Sequence, residues 1–261
     1  MPRVITNNGY DIGYAEAGTG EATPIVFLHG VGSDKSVWYP QLAHFGRARR
    51  AIAFDYPGYG DSDPAPSGTT RDDYADAIIS AMHELGVDRA HVCGLSLGGV
   101  VAIAMHDADA GRCASLVLAD TFAVHPDGPA IYQRSLDGSR DLPAMARARV
   151  DVLLAQPAHP EVRREVVETM SRIDPAAYRM GAEAVWLADQ RDRTQKIEVP
   201  TLVLCGAEDL VTPPNLSNEL VDLIPDARMQ VISRAGHLTN LEHPGAFNQI
   251  VDTFLNDVER G

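Results

Sequence analysis

The segment Cys93-Gly94-Leu95-Ser96-Leu97-Gly98-Gly99 stands between a β-type apolar run at 90–93 and a helix-type run at 100–106. A chain that leaves a strand and enters a helix within so few residues must turn sharply, and a serine at the apex adopts a strained backbone. Small residues at Gly94 and Gly98 let the flanking chain approach closely enough to tolerate it. The turn lifts Ser96 Oγ above the sheet and aims the first amides of the new helix at whatever is attacked there. The pattern is common, however, and a Gly-rich loop with a capping serine has the same composition. Other segments must decide its meaning.

Three do so. Ile25-Val26-Phe27-Leu28-His29-Gly30-Val31-Gly32 is an apolar strand running into a Gly-punctuated loop. Such a loop turns a backbone N–H, that of Val31, toward the serine. The Leu97 N–H supplies a second donor, and the two make an oxyanion hole. His29 suits a loop-anchoring hydrogen bond better than proton transfer. Pro200-Thr201-Leu202-Val203-Leu204-Cys205-Gly206-Ala207-Glu208-Asp209 is a buried-strand pattern followed by a turn that presents an acid, although an Asp there is, taken alone, a common turn or cap residue. Met229-Gln230-Val231-Ile232-Ser233-Arg234-Ala235-Gly236-His237 is a strand ending in a loop that carries a histidine. The chain order Ser96, Asp209, His237 belongs to one of three unrelated folds that reach the same triad geometry.

The rest of the chain alternates strand and helix patterns. After an opening hairpin that turns near Asn7-Asn8-Gly9, strands are predicted at 25–28, 50–54, 89–93, 115–119, 201–205 and 228–232. Helical stretches lie between them, at 71–85 and 97–109 among others, and the last covers about 244–258. This alternation implies an α/β fold with a mostly parallel central sheet flanked by helices, binding its ligands at the carboxyl ends of the strands. All three triad candidates fall at strand ends. Between 122 and 195 the strand pattern stops, and Arg- and Ala-rich helix-type sequence punctuated by Pro143, Pro157, Pro160 and Pro175 takes over. The expected organisation is a core made of 1–121 and 196–261, with a helical cap inserted at 122–195.

With these residues in place, the chain resembles the α/β-hydrolase superfamily over nearly its whole length. The resemblance is carried by His29-Gly30-Val31-Gly32, Asp55-Tyr56-Pro57-Gly58-Tyr59-Gly60-Asp61-Ser62, Gly94-Leu95-Ser96-Leu97-Gly98-Gly99, Gly206-Ala207-Glu208-Asp209 and Ala235-Gly236-His237. Within that superfamily, Gly236-His237-Leu238-Thr239-Asn240-Leu241-Glu242-His243-Pro244 with Ala246-Phe247-Asn248 is most similar to the 3-oxoadipate enol-lactonase group of small esterases and lactonases. Asp189-Gln190-Arg191-Asp192 and Thr212-Pro213-Pro214 resemble that group too. The resemblance implies Ser96 as nucleophile, His237 as general base and Asp209 as the orienting acid. Asp120, at the end of another strand, is the competing acid, because some relatives of this fold place it there. A serine at position 96 excludes the aspartyl-ester chemistry of epoxide hydrolases and haloalkane dehalogenases of this fold. His243 reads as a first-turn residue ahead of Pro244. Trp186, Phe122 and Trp38 are candidates to line the substrate pocket, against the alternative that each packs a helix onto its neighbours. Arg134 is the candidate to pair with a substrate carboxylate, as an enol-lactone would require, against the alternative of an exposed ion pair.

Charge narrows the partners. A net charge of −14 argues against nucleic acid and anionic membranes, which need basic patches. Residues 122–195 hold ten arginines against eleven acidic residues. The acidity therefore lies elsewhere, and this near-neutral insertion is the place to receive an anionic substrate. No apolar run approaches the ~18 residues of a membrane span, and the first residues lack the apolar region of a signal peptide. Cys93, Cys113 and Cys205 form no C-x-x-C pair; the first and last read as buried thiols in a reducing compartment, which points to the cytoplasm. With no His or acid cluster at ligand spacing, neither a metal nor another cofactor is expected. Self-association into a homo-oligomer is compatible with these features.

Three functions fit. The leading one is hydrolysis of a small ester or lactone, resembling 3-oxoadipate enol-lactone, with water as co-substrate. A carbon-carbon bond hydrolase or cofactor-free perhydrolase would use the same residues. A ligand-sensing protein of this fold would keep the triad and use movement of the cap as its output.

Overall fold

In the computed structural model, which describes residues 2–6 and 9–260, seven strands share one sheet. In chain order the elements are β1 (Arg3–Ile5), β2 (Asp11–Leu28), α1 (Tyr39–Phe45), β3 (Arg49–Phe54), α2 (Arg71–Glu84), β4 (Ala90–Leu95), α3 (Leu97–Ala108) and β5 (Cys113–Ala119). There follow α4 (Gly128–Gly138), α5 (Leu142–Leu153), α6 (Pro160–Ser171), α7 (Pro175–Trp186) and α8 (Arg191–Thr194). The chain closes with β6 (Thr201–Gly206), α9 (Pro214–Leu223), β7 (Ala227–Ile232), α10 (Thr239–Glu242) and α11 (Pro244–Arg260).

From β2 onward the sheet runs β2-β4-β5-β6-β7 in parallel pairs, and β1 pairs antiparallel on the outer side of β2. The opening hairpin is therefore present, its turn at Asn7 and Asn8 lying outside the described residues. β3 is parallel to β2 where Ile25 to Leu28 face Ala51 to Phe54. Ahead of that the register runs the other way, with Tyr14 opposite Phe54 and Ala17 opposite Ala51, so β3 lies between the two arms of a single long strand.

Period-two alternation divides the core between the two faces of the sheet. Val26, Leu28, Ile52, Phe54, Val92 and Leu118 pack in one cluster with Ile78 of α2 and Val101 of α3. Phe27, Ala53, Cys93, Leu95 and Val117 pack in the other, with Leu42 of α1 and Val251 of α11. All three cysteines are free and buried, and burial pushes the thiols of Cys113 and Cys205 up to about 12 and about 11.

α4 to α8 all lie between β5 and β6. The prolines that punctuate this stretch sit where a helix tolerates a missing N–H: Pro143, Pro160 and Pro175 open α5, α6 and α7. Asp141 and Asp174 cap α5 and α7 by accepting from Ala144 N–H and from Ala176 and Ala177 N–H. The two ends of the stretch are pinned side by side. Val124 bridges Asp189, Gln190 N–H donates to Ala123 O, and Gln190 Nε2 donates to Val100 O at 2.8 Å. No described helix is long and apolar enough to cross a membrane.

Candidate active site

One residue separates β4 from α3, and it is Ser96. Its backbone sits at φ 56°, ψ −116°, a left-handed conformation that costs about 1–3 kcal/mol for a residue with a side chain. Neighbouring bonds hold it there: Ser96 N–H donates to Ala119 O at 2.9 Å, and Thr121 Oγ1 donates to Ser96 O at 2.8 Å. The flanking glycines have no alternative. A Cβ on Gly94 would meet Gly98 O at 2.1 Å, and one on Gly98 would meet Leu28 O at 2.0 Å. The turn thus packs backbone against backbone.

The acid and the imidazole come from the loops after β6 and β7. Asp209 Oδ1 accepts from Val211 N–H at 2.7 Å and Thr212 N–H at 2.9 Å, while Oδ2 accepts from Thr212 Oγ1 at 2.7 Å and His237 Nδ1 at 2.8 Å. Burial alone would raise this carboxyl, but the neighbouring His237 and the bonds from His237 and Thr212 hold it at about 2. Nδ1 carrying the proton leaves Nε2 as the free basic nitrogen. Asp120, at φ 47° after β5, is engaged elsewhere: Oδ1 accepts from Gly206 N–H at 2.9 Å and Oδ2 from Thr239 Oγ1 at 2.5 Å. Full burial, with Asp209 nearby, pushes Asp120 well above the usual carboxylate range.

The loop after β2 brings Val31 alongside. Among the described residues, neither Val31 N–H nor Leu97 N–H donates to a main-chain carbonyl. His29 anchors this loop, its Nδ1 donating to Gly30 O at 2.8 Å, and burial pushes its pKa down. A second anchor is ionic. Lys35 Nζ donates to Asp55 Oδ2 and to Asp61 Oδ2, both at 2.5 Å, and Asp55 Oδ1 accepts from Lys35 N–H at 2.8 Å. The Lys35 and Asp55 side chains are 4% and 0% exposed, so the pair is a buried tie between the Val31 loop and the loop after β3.

Val31, Ser96 and His237 line one narrow cavity of about 40 Å³, roofed by Arg149 and Leu153 of α5, Met170 of α6, and Tyr178 and Trp186 of α7. Arg149 and Val211 also line a wider outer cleft of about 610 Å³. Arg149 therefore stands at the neck between the two. Among the described residues it is also the one arginine or lysine on the inner wall.

The profile of the alpha/beta hydrolase family matches residues 25–250. The chain belongs to that family. As an alpha/beta hydrolase it is 27% identical over 261 residues to 3-oxoadipate enol-lactonase 1 of Acinetobacter baylyi, covering 98% of this chain and 97% of the relative. It is 28% identical to a 2-hydroxy-6-oxononadienedioate/2-hydroxy-6-oxononatrienedioate hydrolase of Cupriavidus pinatubonensis, covering 93% and 89%. The crystal structure of the enol-lactonase from Burkholderia xenovorans LB400 superposes with a TM-score of 0.92 at 28% identity, covering 98% of this chain and all of that one.

Within this hydrolase the residues singled out from the sequence separate into groups. Ser96, His237, Val31 and Trp186 share the inner cavity, Asp209 lies directly behind His237, and Leu97 is the buried first residue of α3. Three pocket candidates lie elsewhere. Trp38 is in the core on the other face of the sheet, 4.9 Å from the ring of Phe27 and 5.9 Å from that of Phe247, because the chain after the Val31 loop crosses to α1. Phe122 stacks behind Trp186 at 5.9 Å and 15°, supporting that wall without lining the cavity. Arg134 lines only the outer cleft, since α4 forms the cleft's far side. Arg149 is the residue the sequence reading missed. Its spacing of four from Leu153 puts both on one face of α5, a signal that was present but lost among ten arginines. His243 Nε2 donates to Arg234 O at 2.7 Å, ahead of Pro244 and apart from the cavity.

Proposed function

We propose that this chain is a serine hydrolase that opens a small ester or lactone of the 3-oxoadipate enol-lactone type through an acyl-enzyme on Ser96. One observation carries the reading: a strained serine and an Asp209-backed imidazole open into the same cavity, beside N–H groups that have no main-chain acceptor. Ser96 Oγ attacks the acyl carbon while His237 Nε2 takes its proton. Asp209 holds the imidazole by Nδ1 and stabilises the imidazolium. The Val31 and Leu97 N–H groups receive the oxyanion, each worth about 3 kcal/mol of barrier by analogy with measured donors. His237 then returns the proton to the leaving enolate oxygen, and water, with His237 again as base, releases the acid.

Residues 122–195 act as a cap over a core of 1–121 and 196–261, and Arg149, in place of Arg134, pairs with the substrate carboxylate. A guanidinium at the neck of the cavity supports an anionic, compact substrate. The buried free thiols support a reducing compartment, so the cytoplasm is part of the proposal.

A second reading, carbon-carbon bond hydrolysis by the same groups, is supported by the relative from Cupriavidus pinatubonensis. Turnover of a carboxylated enol-lactone, compared with a vinylogous diketone and with peroxide plus acetate, separates the reactions. Multiple turnovers of the lactone with a transient adduct on Ser96, seen by mass spectrometry of quenched enzyme, are expected. A persistent adduct with a single turnover would turn the reading toward a ligand sensor instead.

A further inference from the structure

The cavity beside Ser96 is narrow, and α5 forms part of its roof through Arg149 and Leu153. The chain leaving α5 is bonded to the loop that carries His237. Leu153 O accepts from His237 N–H at 2.8 Å. A Cβ on Gly236 would meet Ala155 N at 2.6 Å and Leu153 O at 2.8 Å, so the two segments touch main chain to main chain. Glu242, in the short α10, spans both. Its Oε1 accepts from Gly236 N–H at 2.8 Å and its Oε2 from Ala155 N–H at 2.7 Å.

We propose that Glu242 is a positioning residue for His237: its two carboxylate oxygens hold the imidazole-bearing loop and the end of α5 in register, and so keep His237 in place at the cavity. The inference rests on His237 being the general base. A carboxylate suits the task because it is acceptor-only, whereas an amide would turn its NH₂ toward an N–H donor. Bonds to a charged acceptor are also roughly twice as strong as neutral ones. Glu242 lies outside the reacting cavity, facing a separate depression shared with His159, Glu208 and Arg234. Its influence on the reaction therefore passes through the backbone.

The test is p-nitrophenyl acetate hydrolysis by Glu242→Gln and Glu242→Asp, with functional sites counted by burst titration with a fluorophosphonate. Glu242→Gln is expected to lower kcat per titrated site about 30-fold with KM nearly unchanged, the cost of one buried charge-assisted bond. The acid limb of its pH–rate profile moves to lower pH, because a looser Asp209 contact stabilises the imidazolium less. Glu242→Asp keeps the charge but is one methylene shorter, so it cannot reach Gly236 N–H and Ala155 N–H together. It adds no bulk, and is expected to fold and to lose about 5-fold in kcat. A purely structural role would lower the number of titrated sites and leave kcat per site and the profile untouched; that result in both variants overturns the proposal. If Glu242→Gln does not fold, Glu242→Asp decides alone. An active His237→Ala enzyme would instead remove the base assignment itself.

Discussion

Asp120 and Asp209 leave the ends of adjacent strands and both point into buried space, yet only Asp209 meets His237. Asp120 is occupied by Gly206 N–H and Thr239 Oγ1, and so ties β5 to the loop after His237. Asp209→Asn is accordingly expected to lower kcat on the order of 10⁴-fold, because the amide no longer fixes the imidazole tautomer. Asp120→Asn keeps both bonds with its oxygen and NH₂ and should cost less than about tenfold. Steady-state rates of the two variants settle the assignment; the opposite order would transfer the acid role to Asp120.

The same pair titrates in opposite senses. Asp209, held at about 2 against 3.8 when unfolded, contributes stability that is present above pH 3.8 and lost as pH falls through 2, about 2 kcal/mol in all. Asp120 is raised, so its contribution is complete below pH 3.8 and is lost as pH rises through its folded value. Melting temperatures between pH 2 and 8 should show Asp120→Asn gaining on the parent toward high pH, and Asp209→Asn losing its deficit toward pH 2. Parallel curves would contradict both.

At the serine turn, chemistry and stability come apart. Ser96→Ala should abolish acyl-enzyme formation and leave the melting temperature within a few degrees, since no neighbour depends on the hydroxyl for a hydrogen bond among the described residues. Gly98→Ala should destabilise by more than about 4 kcal/mol or prevent folding, because its Cβ would lie 2.0 Å from a carbonyl oxygen. Calorimetry on both checks this.

Lys35 offers a test of the buried tie. Lys35→Met strands the carboxylate of Asp55 in the interior and should destabilise by about 3–5 kcal/mol. Chemical denaturation measures it, and a loss under about 1 kcal/mol would mean that water or a shifted proton relieves the charge.

Arg149→Gln should raise KM for a carboxylated lactone about 10- to 100-fold while leaving a neutral ester of similar size nearly unaffected, the loss of one charge-assisted pair. Equal losses on both substrates would show that Arg149 shapes the wall without reading charge.

Much of this was legible in the chain. β3 to β7 fall within about two residues of their predicted bounds, because buried parallel strands read as short apolar runs ended by Gly or polar turns. β2 did not: its first arm, with Gly13, Gly18, Gly20 and Pro24, has turn-like composition, and its pairing with β1 and β3 makes it a strand. That Ser96, Asp209 and His237 follow β4, β6 and β7 was legible because each of those apolar runs ends in a Gly or polar turn. The pocket wall was not. Which of ten arginines faces inward, and whether Trp38 or Trp186 meets the cavity, depends on how helices cross, and no local pattern encodes that.

Leu210, 72% exposed on the outer cleft, and Val211, shared by both cavities, follow directly on Asp209 in the chain. Altering that short loop to admit bulkier molecules disturbs the Asp209–His237 hydrogen bond at once, so on the proposed mechanism gains in scope there come with losses in speed. Ile131 and Met145, on the opposite bank, are free of that entanglement and are where selection can widen the entrance cheaply.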